Sequence, residues 1–297
     1  MSDINRADPI SYQLTFAFLP STNIRRYTYN SVFETELGIF RPVGGGEEES
    51  GIGLSFGGQV NYSIPLENSA QLTFGLSLNQ RIYEASDLNG TQLKATVRYQ
   101  LFQVGRTDSF EPYINFSFDE NLDLEQRRVG VTWDRTWLLD QDNRVTLSFT
   151  GEQREEIGSE ANAGPFARIR LRYRTALTAD LNFTTSVGIS RYNVSAGHLA
   201  YTGYDVSANL TQSFERIGVL GVFATVSRQG YDDTFPATSI TREDDEFRWG
   251  ISYIPPRSIR IGDWQPRLSC AVVDNSSNID LYDYRAVDCG FNFVQSF

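Results

Sequence analysis

The sequence predicts an all-β protein: a transmembrane, antiparallel, up-and-down β-barrel of about 14 strands. Three observations predict this class. Apolar and polar residues alternate over long stretches, the connections alternate between long and short, and the last strand ends on an aromatic residue. A helical membrane span is excluded because no run of about 18 apolar residues occurs. The barrel is expected to occupy residues 11–297, after a lead-in of residues 1–10.

The alternation is clearest in residues 51–65, where apolar side chains fill most even positions and small or polar ones fill the odd positions. Because successive side chains of a strand point to opposite faces, one face is apolar and the other polar. Globular strands usually have about 5 or 6 residues, so a strand of this length favours a membrane barrel. The pattern recurs around Tyr12, Leu72, Leu93, Phe116, Val131, Leu147, Ile169, Val187, Val206, Phe247, Leu268 and Phe291. Residues 217–226 are apolar on both faces, so the sequence does not show which of the two faces points towards the lipid.

The connections predict which end of the barrel faces outward. Long or medium polar segments cover residues 21–50, 84–90, 155–164, 192–200, 229–246 and 274–284. Between them lie short segments at residues 66–69, 105–109, 140–143, 178–180, 215–216 and 257–263. Long outer loops with short periplasmic turns are typical of outer-membrane barrels. Residues 119–124 are an exception, since they are short but fall on the outer side.

Composition excludes several functions. The chain has 297 residues, a formal net charge of -11, one histidine and two cysteines. Non-specific nucleic-acid binding needs clustered cations, so nucleic acid is not an expected partner. So few histidines and cysteines exclude most zinc sites and most histidine-based catalysis, and we expect no catalytic residue, metal or cofactor. One hypothesis is an outer-membrane enzyme, whose activity would depend on the single histidine, His198.

Four arginines at alternate positions form the sharpest charged pattern. Arg168, Arg170, Arg172 and Arg174 share one strand face, and we call them the cationic ladder. A lipid-facing arginine near the midplane costs about 2–4 kcal/mol, so the ladder is predicted to face the lumen. It could be part of a salt-bridge network that braces the barrel, or a track for an acidic or extended client. Interior neighbours are expected to be Lys94, Arg98, Arg128 and Arg144, with Glu111, Asp134, Glu152 and Asp205 as partners.

Cys270 and Cys289 are predicted to face each other across the last hairpin, on its apolar face. Directly opposed Cβ atoms are about 4.5–5.5 Å apart, which is longer than disulfide geometry prefers. An oxidising periplasm would permit a bridge. The spacing favours two small apolar side chains instead.

Aromatic residues predict how the barrel meets the membrane. Phe291, Phe293 and Phe297 lie on the apolar face of the closing strand and resemble the insertion signal of bacterial outer-membrane barrels. Tyrosine and tryptophan are enriched at the headgroup level of membranes. The predicted anchors of this kind are Tyr99, Trp133, Trp137, Tyr173, Tyr204 and Trp249.

Both ends of the chain carry recognisable motifs. A Ser-Asn…Tyr-Asp-Tyr segment precedes the closing strand, residues 20–24 read Pro-Ser-Thr-Asn-Ile, and a Ser-Gly-x-Gly run begins at Ser50. These segments resemble the C-terminal barrel domain of the surface lipoprotein assembly modifier family. The middle of the chain matches only in its rhythm of strands. The exit-loop motif taken from the resemblance consists of Asn275, Ser277, Asn278, Tyr282, Asp283 and Tyr284.

The resemblance implies a bacterial outer-membrane barrel that assists translocation or surface display of lipoproteins or secreted proteins, with the exit loop controlling release. Expected partners are outer-membrane lipids, the barrel assembly machinery and the lipoprotein or secreted client. Members usually carry N-terminal tetratricopeptide repeats, so we expect this chain to be a processed or trimmed barrel domain. The alternative hypothesis is a passive outer-membrane channel for polysaccharide or small solutes.

Overall fold

A computed structural model describes residues 9–41 and 47–297 of the chain. Within this part lie the strands β1 (Ile10–Ser21), β2 (Phe33–Thr35), β3 (Gly38–Phe40), β4 (Gly51–Leu66), β5 (Ala70–Tyr83), β6 (Gly90–Gln103), β7 (Arg106–Phe118), β8 (Leu124–Leu138), β9 (Asn143–Glu156), β10 (Ser159–Ala176), β11 (Leu181–Tyr192), β12 (Tyr201–Phe214), β13 (Gly218–Thr234), β14 (Thr241–Ile254), β15 (Gln265–Ser277) and β16 (Tyr284–Ser296). The helices described are two single 3₁₀ turns, at Ser86–Leu88 and Asp280–Tyr282. No described helix has the length and apolar character that a membrane crossing requires.

Fourteen of these strands close into one antiparallel barrel, and β2 and β3 form a separate short hairpin. Barrel neighbours in sequence pair with each other, and β1 closes the ring between β4 and β16. At this seam Phe16 lies opposite Phe56 on one side and Phe293 on the other. The ring of Phe297 stacks on Tyr12 at 4.4 Å, and its backbone N–H donates to the carbonyl oxygen of Tyr12 at 2.9 Å. The predicted fold class is confirmed.

The apolar stripes face outward and the polar stripes line the lumen. Ile52, Ile169 and Ile251 are 61%, 49% and 59% exposed, although each lies within a long strand. An outer belt of exposed apolar side chains is stable against lipid, and a closed barrel satisfies its backbone hydrogen bonds internally. The barrel therefore spans a membrane. Of the predicted lead-in, residues 1–8 lie outside the described part, and β1 already begins at Ile10.

Three of the predicted outer connections are shorter than expected, while those predicted at residues 84–90 and 192–200 agree with the strand ends to within one residue. We call the end that holds Ile10 and Phe297 the inner rim and the opposite end the outer rim. At the outer rim β9 and β10 are joined by residues 157–158 alone, β13 and β14 by 235–240, and β15 and β16 by 278–283. The β-ladder continues beyond the apolar belt, where both faces become polar and the sequence alternation that marks strands disappears. The long connection 22–50 is confirmed, and residues 255–264 form an unexpectedly long one at the inner rim.

The last hairpin has the predicted register, with Cys270 directly opposite Cys289 on the outward face. The two are joined by a disulfide with a Cα–Cα distance of 4.0 Å. The expectation of two unbonded apolar side chains is therefore wrong. Non-hydrogen-bonded antiparallel pairs approach more closely than the average pair, which brings the two sulfur atoms within bonding reach.

Candidate functional site: a basic cavity in the lumen

The lumen face of the described strands is basic, although the whole chain has a formal net charge of -11. Exposed apolar side chains mark the outward face of each strand, and successive side chains point to opposite faces. The position of each charged residue in a strand therefore shows whether it faces outward or towards the lumen. Inward-facing cations are Arg81, Lys94, Arg98, Arg128, Arg144, Arg154, Arg168, Arg170, Arg172, Arg174, Arg242, Arg248 and Arg267. Inward-facing carboxylates are fewer: Glu111, Asp134, Glu152, Glu156, Asp205, Asp244, Glu246 and Asp288. Much of the acidic charge therefore lies in the connections, in the turns and on the outer face.

The cationic ladder faces the lumen, as predicted. Arg168 donates from Nη2 to Oδ1 of Asp205 at 2.5 Å, and Arg170 donates from Nη2 to Oδ2 of the same residue at 3.3 Å. Within the described residues, no carboxylate oxygen lies within 4.0 Å of a guanidinium nitrogen of Arg172 or Arg174. The bracing network therefore accounts for only half of the ladder.

Gly188 makes the Asp205 contact possible. Strand β11 lies between β10 and β12, and Gly188 is opposite Arg170 on one side and Asp205 on the other. A Cβ at this position would collide with the carboxylate of Asp205, whose Cγ would lie 3.0 Å away. The absence of a side chain therefore lets Asp205 cross one whole strand to reach two arginines.

A cavity of about 450 Å³ lies against this strand trio. Arg168, Arg170 and Arg172 line it together with Arg154, whose guanidinium carbon is 3.7 Å from the ring centroid of Phe166. The Nε atoms of Arg168 and Arg170 are buried without a hydrogen-bond partner. Unused donors on clustered guanidinium groups are suited to binding an anion that brings its own acceptor oxygens.

Two of the predicted acidic partners, Glu111 and Glu152, form further contacts on the adjacent wall. Glu111 accepts a hydrogen bond from Arg98 Nε at 2.5 Å, and its other oxygen is 3.5 Å from Lys94 Nζ. Glu152 accepts from the Tyr113 hydroxyl at 2.5 Å and from Arg154 Nε at 2.6 Å. The pairing of Glu111 with Lys94 and Arg98 agrees with the prediction, whereas Glu152 pairs with Arg154, which the prediction did not include. Arg128 instead donates to the amide oxygen of Gln126 at 2.6 Å, and Asp134 forms no ion pair within the described residues.

Asn23 and Arg26, at the start of the first outer connection (residues 22–50), reach into the mouth of the barrel. Arg26 donates to both oxygens of Asp288 on the lumen face of β16, at 3.1 and 2.6 Å. Burial alone would lower the pKa of the Arg26 guanidinium, but its hydrogen bonds to Asp288 raise that pKa above its ordinary value. Asn23 is fully buried and donates to the carbonyl oxygens of Tyr27 and Arg285.

A second tether joins the first outer connection to the 3₁₀ turn Ser86–Leu88. Arg25 donates from Nη2 to Oδ1 of Asp87 at 2.7 Å, and from Nε to Glu49 at 2.7 Å. The hydrogen bonds from Arg25 lower the pKa of the Asp87 carboxyl. Neither tether is predictable from residue patterns, because Arg25 and Arg26 lie in a loop without periodicity.

The exit-loop motif braces the outer rim. Its members Asn275 and Ser277 belong to β15 and Tyr284 opens β16, so the predicted loop of residues 274–284 shortens to 278–283. Asn275 Nδ2 donates to the carbonyl of Tyr282 at 2.7 Å, and the Ser277 N–H donates to Asp283 at 2.6 Å. The remaining contacts tie Asn278 to Thr241 and Glu243, Tyr282 to Arg242, Asp283 to Asn30, and Tyr284 to Glu246.

The remaining predicted residues occupy separate places. Phe291 and Phe297 are exposed on the outward face, and Phe293 lies on that face at the seam. Their role as an insertion signal stays a prediction. His198 lies in the connection 193–200 at the outer rim. Among residues 9–41 and 47–297, no group of three or more His, Cys, Asp or Glu side chains is placed to hold a metal ion.

The fold and the lumen define an outer-membrane β-barrel. The structure is similar to that of OprB from Pseudomonas putida at high pH, with a TM-score of 0.54, 6% identity, and coverage of 99% of this chain and 96% of that one. It is also similar to a deltaS2 mutant of TodX, a monoaromatic hydrocarbon channel, with a TM-score of 0.50, 8% identity, and coverage of 98% and 91%. At such identities the likeness is one of fold. No protein-family model matches the chain, and no curated protein matches its sequence.

Proposed function

We propose that this barrel is a passive outer-membrane channel for small solutes and that it favours anions. The observation that carries the proposal is the lumen cavity of about 450 Å³, which is lined by Arg154, Arg168, Arg170 and Arg172 together with the single carboxylate of Asp205. The resulting excess of positive charge attracts anions into the lumen. A channel wall of one charge sign focuses the field and raises the local concentration of oppositely charged solutes.

The position of the ladder along the strand adds to this argument. Arg168 to Arg174 occupy alternate residues of β10, so their guanidinium groups are spaced by about 6.6 Å along the strand. Arg174 lies directly opposite Arg144, which extends the basic stripe towards the inner rim. A series of weak, partly paired sites lets an anion pass from one to the next without being trapped. This spacing supports conduction over tight storage of a ligand.

Reversal potentials in a planar bilayer test the proposal. The purified whole chain is placed under a potassium chloride gradient, and the double variant Arg170→Gln/Arg172→Gln is compared with it. A unit charge at about 8 Å in water contributes roughly 0.5 kcal/mol, so losing two should disfavour chloride and favour potassium by roughly fivefold each. The chloride-to-potassium permeability ratio should therefore fall roughly 30-fold. The control Arg127→Gln/Arg285→Gln removes the same charge from the outward face and should leave the ratio unchanged.

Two results would overturn this function. A folded barrel that shows no ion conductance is not a channel, and a double variant with unchanged selectivity removes the ladder from the ion path. Folding of each variant is checked by the shift in gel mobility between heated and unheated samples.

Assistance in exporting a lipoprotein or secreted protein is the second candidate function. The resemblance of both chain ends to the surface lipoprotein assembly modifier family is what favours it. Charge reversal, Arg170→Glu/Arg172→Glu, should then reduce surface exposure of lipoproteins on cells while the barrel still assembles, as measured by protease accessibility. Normal display with the reversed ladder, together with altered conductance, would favour the solute channel.

A further inference from the structure

A charged cluster lies on the lipid side of the barrel at its inner rim. Asp108 Oδ1 accepts a hydrogen bond from Arg135 Nε at 2.5 Å, and Oδ2 lies 3.0 Å from Arg106 Nε. We call these three residues the rim cluster. They share the outward face of β7 and β8 with Phe110, which is 50% exposed and lies opposite Trp133.

The height of the rim cluster matches the edge of the apolar belt. Arg127 marks the outer edge of the belt on β8, and the outward positions between it and Arg135 hold only Val129, Val131 and Trp133. Eight residues span roughly 26 Å along a strand, or about 20 Å of height at a tilt of about 40°. Lipid-facing arginine is costly at the midplane and much less so at the interface. The cluster therefore lies at the level of the inner-leaflet headgroups.

Two tryptophans hold the cluster at this level. The guanidinium carbon of Arg135 is 5.3 Å from the ring centroid of Trp133 and 6.0 Å from that of Trp137. Trp137 lies directly opposite Arg106 in the register. Indole rings prefer the membrane–water interface, so both rings fix the depth of the arginines and cover their apolar stems.

The cluster has a net positive charge and unused donors. Two guanidinium groups share the single carboxylate of Asp108, whose side chain is only 17% exposed. Arg135 Nε donates to that carboxylate, whereas Arg106 Nε lies beside it without a hydrogen bond. Within the described residues, the Nη groups of both arginines have no hydrogen-bond partner. Paired guanidinium groups with free Nη donors match the oxygen geometry of a phosphodiester.

We propose that the rim cluster binds the phosphate of one anionic phospholipid of the inner leaflet. Arg106 and Arg135 donate their Nη groups to the phosphate oxygens, while Trp133 and Trp137 contact the glycerol and upper acyl chains. A zwitterionic lipid brings an ammonium group that offsets the attraction, so an anionic headgroup is preferred. This site lies on the face opposite the lumen and is separate from the proposed channel.

Native mass spectrometry of the detergent-solubilised whole chain tests the site. Phosphatidylglycerol and phosphatidylethanolamine are titrated separately, and wild type is expected to retain the former more strongly. Arg106→Gln and Arg135→Gln should each weaken phosphatidylglycerol binding about fivefold. Arg144→Gln is the matched control because it removes the same charge at the same rim from the lumen face, and its lipid binding should equal that of wild type.

The proposal is overturned if wild type binds both lipids equally, a measurement that needs no variant. It is also overturned if the arginine variants, folded by the heated and unheated gel comparison, retain phosphatidylglycerol as wild type does. A loss in Arg144→Gln as large as in Arg135→Gln would show general charge attraction in place of a site.

Discussion

Asp205 reaches Arg168 by crossing the backbone of Gly188, so a single carboxylate on β12 joins a strand that is not its neighbour. The contact fixes Arg168 and Arg170 of the ladder, and Arg172 forms no ion pair with a carboxylate in the part of the chain that the structure describes. Gly188, which has no side chain, therefore determines which arginines of the ladder are neutralised by Asp205 and which contribute positive charge to the lumen.

We expect Gly188→Val to break this contact. The added side chain would displace the Asp205 carboxylate, and the two arginines would lose a partner. Because these groups are partly exposed, we expect a loss of only roughly 1–2 kcal/mol in the free energy of unfolding. The measurement is denaturant unfolding in lipid vesicles, followed by tryptophan fluorescence. The control is Gly230→Ala, where an added Cβ meets nothing within 4 Å; equal midpoints for both variants would contradict the prediction.

Arg26→Gln should loosen the connection 22–50 from the mouth of the barrel. The side chain loses its paired hydrogen bonds to Asp288, which anchor this segment over the lumen. We expect larger and more variable single-channel currents than in wild type. Arg41→Gln, in the same connection but exposed, serves as the control. Steady currents identical to those of wild type would show that this tether does not limit passage.

The Arg25–Asp87 tether should respond to acid. Its hydrogen bonds hold the pKa of Asp87 below the ordinary value of an aspartate, which is about 3.9. A carboxyl whose pKa is lowered by folding stabilises the tether fully above that ordinary value, and the contribution is lost as the pH falls through the lowered pKa. A spin label at Val32 should therefore become more mobile below about pH 4. In Asp87→Asn the mobility should be high already at pH 7, and a label as immobile as in wild type would refute the role of this pair.

The disulfide should stabilise the closing hairpin. Cys270 and Cys289 are 19 residues apart, and closing a loop of that size stabilises a chain by roughly 3 kcal/mol. This stabilisation is an upper limit for the closing hairpin, because the hydrogen bonds between β15 and β16 already hold the two cysteines together. The purified protein should gain the mass of two hydrogens on reduction, and the reduced form should unfold at lower denaturant. Cys270→Ala/Cys289→Ala should match the reduced form, and no mass change would exclude the bond.

The alternation of apolar and polar residues determines where the strands lie and which of their faces meets lipid. Alternation around Ile52 or Ile169 fixes the strand, its lipid face and the inward direction of the cationic ladder, because only one face of a membrane strand tolerates charge. The register of Cys270 and Cys289 also follows from the sequence, since the hairpin turn sets it. Strand ends do not follow, because above the lipid belt both faces are polar and the alternation disappears.

Which charges meet depends on the closed barrel. Asp205 is 35 residues from Arg170 and two strands away, and Arg26 is 262 residues from Asp288 across the closing seam. Contacts of that kind depend on barrel closure and on side-chain reach, which no local pattern encodes. Alternation therefore predicts a membrane barrel with a basic lumen, and barrel closure sets which arginines have a carboxylate partner among the described residues.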